Sequence, residues 1–233
     1  MLLLAVAATL RAQQPLTFEV DNVKPNTTGG PGATSRQRNG ALELENYSLR
    51  RLVQLAYRVK DYAYSGPSWL DSVHFDVVAK LPAGAKSDQI PEMMQALLTE
   101  RFQLAVHREE KEMTGLALVV DKKGLRIQPA EPGPNGGTGY GSSMAGGNKI
   151  TMAEFAGLLS NALDRPVKDL TSVGGVYNIK IRWLPDGPLP ADTTGMSGSV
   201  YEAVQDLGLK LEVQKIPVEV LIVDRAERAP TEN

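Results

Sequence analysis

The sequence predicts an α+β fold in which a β-α-β-α-β-β unit occurs twice, forming antiparallel or mixed sheets with helices on one face. Three observations predict it. Apolar residues switch repeatedly between a period of two and a period near ~3.6. Breaker-rich tracts divide these runs into only two copies of the unit, fewer than the stacking neighbours a solenoid needs, which predicts two fused subdomains. Thr151, Met152, Phe155 and Leu159 repeat Ser48, Leu49, Leu52 and Ala56 at a constant separation of 103 positions.

In chain order, Leu2 to Leu10 followed by Arg11, Ala12 and Gln13 resembles the apolar core of a secretory signal, so residues 1–14 are set apart from the fold. Phe18, Val20 and Val23 predict a strand closed by Pro25, and residues 27–40, rich in turn formers, predict an exposed loop. Leu42 and Leu44 alternate as a strand. Ser48 then caps a helix carrying Leu49, Leu52, Val53 and Ala56 on one stripe, because its hydroxyl accepts an amide proton the helix leaves unpaired.

Gly66 and Pro67 predict a turn that aims Trp69 into an apolar seam, and Val73, Phe75 and Val77 restore strand alternation. A second helix follows from Ile90, Met93, Met94, Leu97 and Leu98; strands follow at Phe102–Val106 and Leu116–Val120. The first half thus covers residues 16–128. Residues 129–147, with Pro129, Pro132, Pro134 and repeated glycines, read as a flexible loop or linker. The second half, 148–226, repeats the order: a Thr151-capped helix, a strand through Tyr177, Asn178 and Ile179, a short helix at Val200–Leu207, and strands at Leu209–Val213 and Val218–Ile222. Residues 226–233 are expected to fray.

Composition narrows the chemistry. A chain with 42% hydrophobic and 22% charged residues supports a substantial core. Twenty-five basic against 27 acidic residues, without a single-sign block, argue against nucleic acid as a partner. The absence of Cys removes disulfides, thiolate catalysis and cysteine-ligated metals. His74 and His107 belong to no HExxH pattern, so strand-edge histidines are favoured over a metal pair; no metal or other cofactor is expected.

The remaining candidates are local. His107 with Glu109 or Glu110 is the best acid–base combination, although a solvated hairpin rim explains the same carboxylates. Ser65, Ser68 and Ser72 lack a GxSxG elbow. Trp69 and Tyr140 offer aromatic contact surface, and Arg51 and Arg58, about two helical turns apart, offer an anion-facing pair.

Several segments together carry a resemblance: Asn46 to Leu52 with Ala56 and Tyr57, Gly66 to Asp71, Phe75 to Val77, Leu98 to Leu104, His107 to Glu109, Thr151 to Phe155, Gly175 to Ile179, and Pro217 to Asp224. The chain resembles an exported, soil-associated protein family abundant in Acidobacteria, a domain of unknown function. The resemblance implies a secreted protein and supplies no catalytic residues. The expectation is a noncatalytic extracytoplasmic recognition or sensory protein, in the periplasm or outside the cell, binding a small molecule, peptide or envelope component, with no mature transmembrane segment. The alternative is an envelope hydrolase whose chemistry is assembled between the halves.

Overall fold

The computed structural model of the protein describes residues 16–29, 32–185 and 193–231, so the signal-like segment lies outside the described residues. The fold is mixed α/β, with helices α1 to α4 and three mostly antiparallel sheets. Two compact units form. Unit one takes the described residues of Met1–Val59, Tyr64–Arg108 and Leu221–Asn233; unit two takes Lys60–Ala63 and Glu109–Val220. Residues 109–128, expected in the first half, therefore belong to unit two, and 221–226 to unit one. Core contacts explain both assignments: Leu116 and Leu118 are buried with Phe155, and Leu221 and Val223 with Leu49 and Phe102.

Unit one contains β1 (Val20–Pro25), β2 (Thr34–Arg38), β3 (Ala41–Ser48), α1 (Leu49–Tyr57), β4 (Tyr64–Ser65), β5 (His74–Lys80) and α2 (Ile90–Phe102). Its sheet runs β1-β5-β3-β2, every pair antiparallel. Leu42, Leu44, Phe75, Val77 and Ala79 alternate onto the buried side, where they share a core with Leu52 of α1 and Met93, Met94 and Leu98 of α2. Ser48 caps α1 as its side chain predicts, accepting from the Arg51 amide at 3.3 Å. The loop expected over 27–40 is corrected in part, because Thr34–Arg38 is a strand paired to β3. Asn39 and Gly40, at φ 52° and 72°, make the two-residue turn that joins them. An Asn-Gly pair suits this turn because both residues tolerate positive φ.

The paired positions of β3 and β5 shift between Leu44 and Tyr47, and Asn46 sits there at φ 57°. Asp76 holds the irregularity in place: its Oδ1 accepts from the Asn46 amide at 2.9 Å and from Asn26 Nδ2 at 2.8 Å. That employment makes Asp76 a structural carboxylate.

After β6 (Ala105–Val120), which starts in unit one and ends in unit two, come β7 (Thr138–Gly141), β8 (Met144–Ile150), α3 (Met152–Leu163), β9 (Val167–Asp169), β10 (Tyr177–Arg182), α4 (Val200–Asp206) and β11 (Leu209–Arg225). β10, β8 and β7 form an antiparallel sheet. In the third sheet, β4 adds in parallel to β11 within unit one, and β9 adds in parallel to β6 within unit two. Thr151 caps α3 through a reciprocal box with Glu154, whose carboxyl the Thr151 amide and hydroxyl hold below its ordinary value. Asn178 Oδ1 accepts from the amide of Lys149, itself at φ 56°, as Asp76 does from Asn46.

Two expectations are corrected here. The tract 129–147 is not loop throughout, since β7 and the start of β8 form a hairpin in it. Gly146 serves close approach: a Cβ there would stand 2.1 Å from the Ile179 carbonyl oxygen. Residues 226–231, expected to fray, are instead tied to unit one. The Glu227 amide donates to the Phe102 carbonyl at 2.7 Å and that of Thr231 to the Arg101 carbonyl at 2.8 Å, while the buried Arg101 guanidinium joins Asp21, at 2.6 Å, to the Thr231 carbonyl, at 3.1 Å. Among the described residues, no helix is long and apolar enough to cross a membrane.

Candidate functional site

Aromatic and guanidinium groups of unit one gather around a single tight turn, Ser68–Asp71. Pro67 enters it at φ −58°, the value its ring imposes, and the Ser72 hydroxyl closes it by donating to the Trp69 carbonyl at 2.9 Å. Leu70 is fully buried, anchoring the turn in the core. Trp69 is partly buried against that core, and the Arg228 guanidinium lies over its ring, 5.0 Å from the centre. The strongest anchor of the turn is thus Leu70, one position beyond the Trp69 that the sequence singled out.

Asp71, two residues on, pairs with Arg50 at 3.2 Å, and the same guanidinium lies 5.0 Å from the centre of the Tyr64 ring. With side-chain exposures of 27% and 52%, that ion pair stabilises the fold by less than about 1 kcal/mol; its main effect is to orient the guanidinium. Gly66 is required by proximity, since a Cβ there would lie 2.6 Å from the Tyr64 hydroxyl and 3.2 Å from Leu70. The hydroxyl is buried and has no hydrogen-bond partner among the described residues. Burial pushes its pKa up to about 12, with Arg50 opposing the rise and Asp71 adding to it.

Tyr64→Phe therefore removes a polar atom that folding desolvates without compensation, and at neutral pH the urea midpoint is expected to stay level or rise. The pH dependence has a definite sign. A phenol ionising near 10 when unfolded and about 12 when folded stabilises the fold below pH 10 and loses that contribution as the pH climbs to 12. The variant should lose less stability across this window. Tyr57, also raised by burial, should preserve part of the decline. An unchanged alkaline profile in Tyr64→Phe contradicts this assignment.

The other predicted residues have separate partners. Arg51 lies over Tyr47 at 5.5 Å, whereas Arg58 ends α1 in the left-handed region, at φ 53°, and donates to the Asp88 carbonyl; the expected anion-facing pair is not assembled. In unit two, Tyr140 is exposed on β7 with Lys60 Nζ 5.9 Å from its ring centre. His107 Nδ1 donates to both oxygens of Asp224, at 2.8 and 2.9 Å. Glu109 pairs with Lys111 at 3.4 Å and Glu110 is exposed. Asp224 is the partner that sequence reasoning missed; the Pro217–Asp224 segment stood out as a pattern, but nothing local ties it to a residue 117 positions earlier. Arg228 was missed because it falls in the stretch expected to fray. A cavity of about 500 Å³ in unit two is lined by Ser142, Arg165, Trp183, Ser199 and Tyr201 among others, with no carboxylate or histidine among the described residues that line it. Among the described residues no three His, Asp or Glu converge on a metal position.

Fold and surface together define a mixed α/β protein with two guanidinium–aromatic contacts, Arg50 with Tyr64 and Arg228 with Trp69, around the Ser68–Asp71 turn. Residues 50–226 match a family described as a protein of unknown function, DUF3738. The chain belongs to that family. The matched stretch includes Arg50, Tyr64, Trp69, Asp71, His107 and Asp224. No curated protein and no solved structure matches the chain.

Proposed function

We propose that the protein is a noncatalytic extracytoplasmic recognition or sensory protein that binds a small molecule, peptide or envelope component through the Trp69 surface of unit one. The observation that carries this reading is the meeting at one turn of an indole stacked by Arg228 and a guanidinium that Asp71 holds over the Tyr64 ring. Stacked cations and aromatic faces supply contact area at low cost in side-chain entropy. The leader-like first residues and the resemblance to exported, soil-associated proteins of Acidobacteria support an envelope or extracellular setting.

The test is a fluorescence titration of the full chain in a Trp183→Phe background, so that Trp69 reports alone, against soluble peptidoglycan fragments, lipopolysaccharide and envelope-derived peptides. A saturable change with at least one fraction is expected. Trp69→Ala should abolish that binding, measured by calorimetry, while lowering stability by about 2 kcal/mol, less than the ~3–5 kcal/mol of a fully buried aromatic. No binding to any fraction, or binding indifferent to Trp69→Ala, contradicts the proposal. The His107–Asp224 contact favours a second reading, an envelope hydrolase in which Asp224 orients the imidazole and leaves Nε2 available as a base. Turnover of the same fractions that disappears in His107→Ala would establish it.

A further inference from the structure

We infer that the outer edge of β2, unpaired among the described residues, is a docking site for an extended acidic peptide, which adds as a further strand to the sheet of unit one. β2 is the last strand in the order β1-β5-β3-β2 and pairs with β3 over five consecutive positions, from Thr34↔Glu45 to Arg38↔Ala41, without a register shift. All five of its side chains are exposed. The two-residue turn at Asn39 and Gly40 makes Arg38 and Ala41 the hydrogen-bonded closing pair. Pairing then alternates, so Thr34, Arg36 and Arg38 spend their main-chain groups on β3, while Ser35 and Gln37 direct theirs to the outer edge. An incoming strand would meet two amides and two carbonyls there, the main-chain basis of strand addition.

The side chains select the occupant. Ser35 and Gln37 lie opposite buried Leu44 and Leu42, on the core side, where the Ser87 hydroxyl donates to Gln37 Oε1 at 3.2 Å. Thr34, Arg36 and Arg38 occupy the other face. Glu45 and Glu43 of β3 stand across from Thr34 and Arg36, and the Thr34 hydroxyl donates to Glu45 at 3.2 Å, but Arg38 faces Ala41. Neither arginine is within 4.0 Å of a carboxylate among the described residues, so on the outermost strand both guanidiniums can turn to acidic side chains of an added strand. A second copy of the chain fits poorly, because joining two β2 edges sets arginines against arginines. β2 carries no apolar residue with which a hydrophobic strand could pair. The site lies outside the family match over residues 50–226 and is distinct from the Trp69 surface.

The experiment follows amide hydrogen exchange of the full chain by NMR, with a capped heptapeptide alternating Glu and Val and a counterpart carrying Lys in place of Glu. The Glu peptide should slow exchange at Ser35 and Gln37, less so at high salt, and the Lys peptide should not. Arg36→Glu combined with Arg38→Glu, both at exposed positions, should reverse the preference between the peptides. Absent protection at 34–38 with the Glu peptide, or equal protection with both, overturns the inference. So does concentration-dependent protection without peptide, which would assign the edge to self-pairing. Trp69→Ala should leave the peptide effect intact, so failure here and failure of the proposed function are read separately.

Discussion

Phe102→Ala is expected to lower the unfolding free energy of unit one by about 3–5 kcal/mol, the range for removing a fully buried aromatic side chain. Phe102 is 0% exposed and meets Phe75 edge to face, with ring centres 4.8 Å apart and planes at 71°. Its loss removes transfer energy, leaves a cavity between α2 and the sheet, and breaks an aromatic pair worth about 0.5–1.5 kcal/mol beyond area. Phe102 belongs to the buried core of unit one, and such close-packed surroundings collapse only partly into the space left. Urea denaturation read by Trp69 fluorescence, again with Trp183→Phe, measures the shift. A loss below about 1 kcal/mol would contradict the described packing.

Gly208→Ala should be comparably severe in unit two, for reasons of backbone rather than side chain. Gly208 links α4 to β11 at φ +76°, and a Cβ there would stand 2.1 Å from the Gly124 carbonyl oxygen and 2.8 Å from the Arg126 amide nitrogen. The left-handed conformation alone costs a non-glycine residue about 1–3 kcal/mol. Displacing the 124–126 backbone adds about 1–3 kcal/mol. It also strains two bonds that fix this corner, from the Asp121 amide to the Gly208 carbonyl and from the Arg126 amide to the Leu207 carbonyl, both 2.9 Å. Denaturation followed by Trp183 in a Trp69→Phe background checks this, and a midpoint unchanged from the parent would refute it.

These two positions differ in how far sequence reveals them. Phe102 heads a run of alternating apolar residues, so its burial was legible, although it closes α2 instead of opening the strand. The caps Ser48 and Thr151 were legible because one hydroxyl ahead of an apolar stripe is a local signal. The need for Gly208 was not, since the carbonyl that excludes a Cβ comes from a segment 84 positions earlier. β2 was hidden by its composition: Thr-Ser-Arg-Gln-Arg has no apolar alternation, and only the Asn-Gly pair announces a hairpin. For the candidate site, Gly66 and Pro67 signalled the turn and Trp69 its aromatic content. The partners Arg50, Arg228 and Asp224 depend on strand and tail placement that no spacing encodes.

The route of β11 sets an order of assembly. Its last residues, Leu221 and Val223, complete the core of unit one, and Arg101 and Phe102 find main-chain partners at Thr231 and Glu227. Unit one begins early in the chain yet needs residues that a ribosome delivers more than a hundred positions later, after all of Glu109–Val220 has emerged. Unit two can close while its predecessor still lacks a strand, inverting the usual succession in which the N-terminal body folds first. Contacts of such sequence separation must be reached by closing a long loop, so the final step is slow by topology, independent of the strength of any single interaction. Until then the apolar faces of α1 and α2 remain incompletely covered, and the newborn chain is most vulnerable to aggregation and proteolysis at the end where its synthesis began.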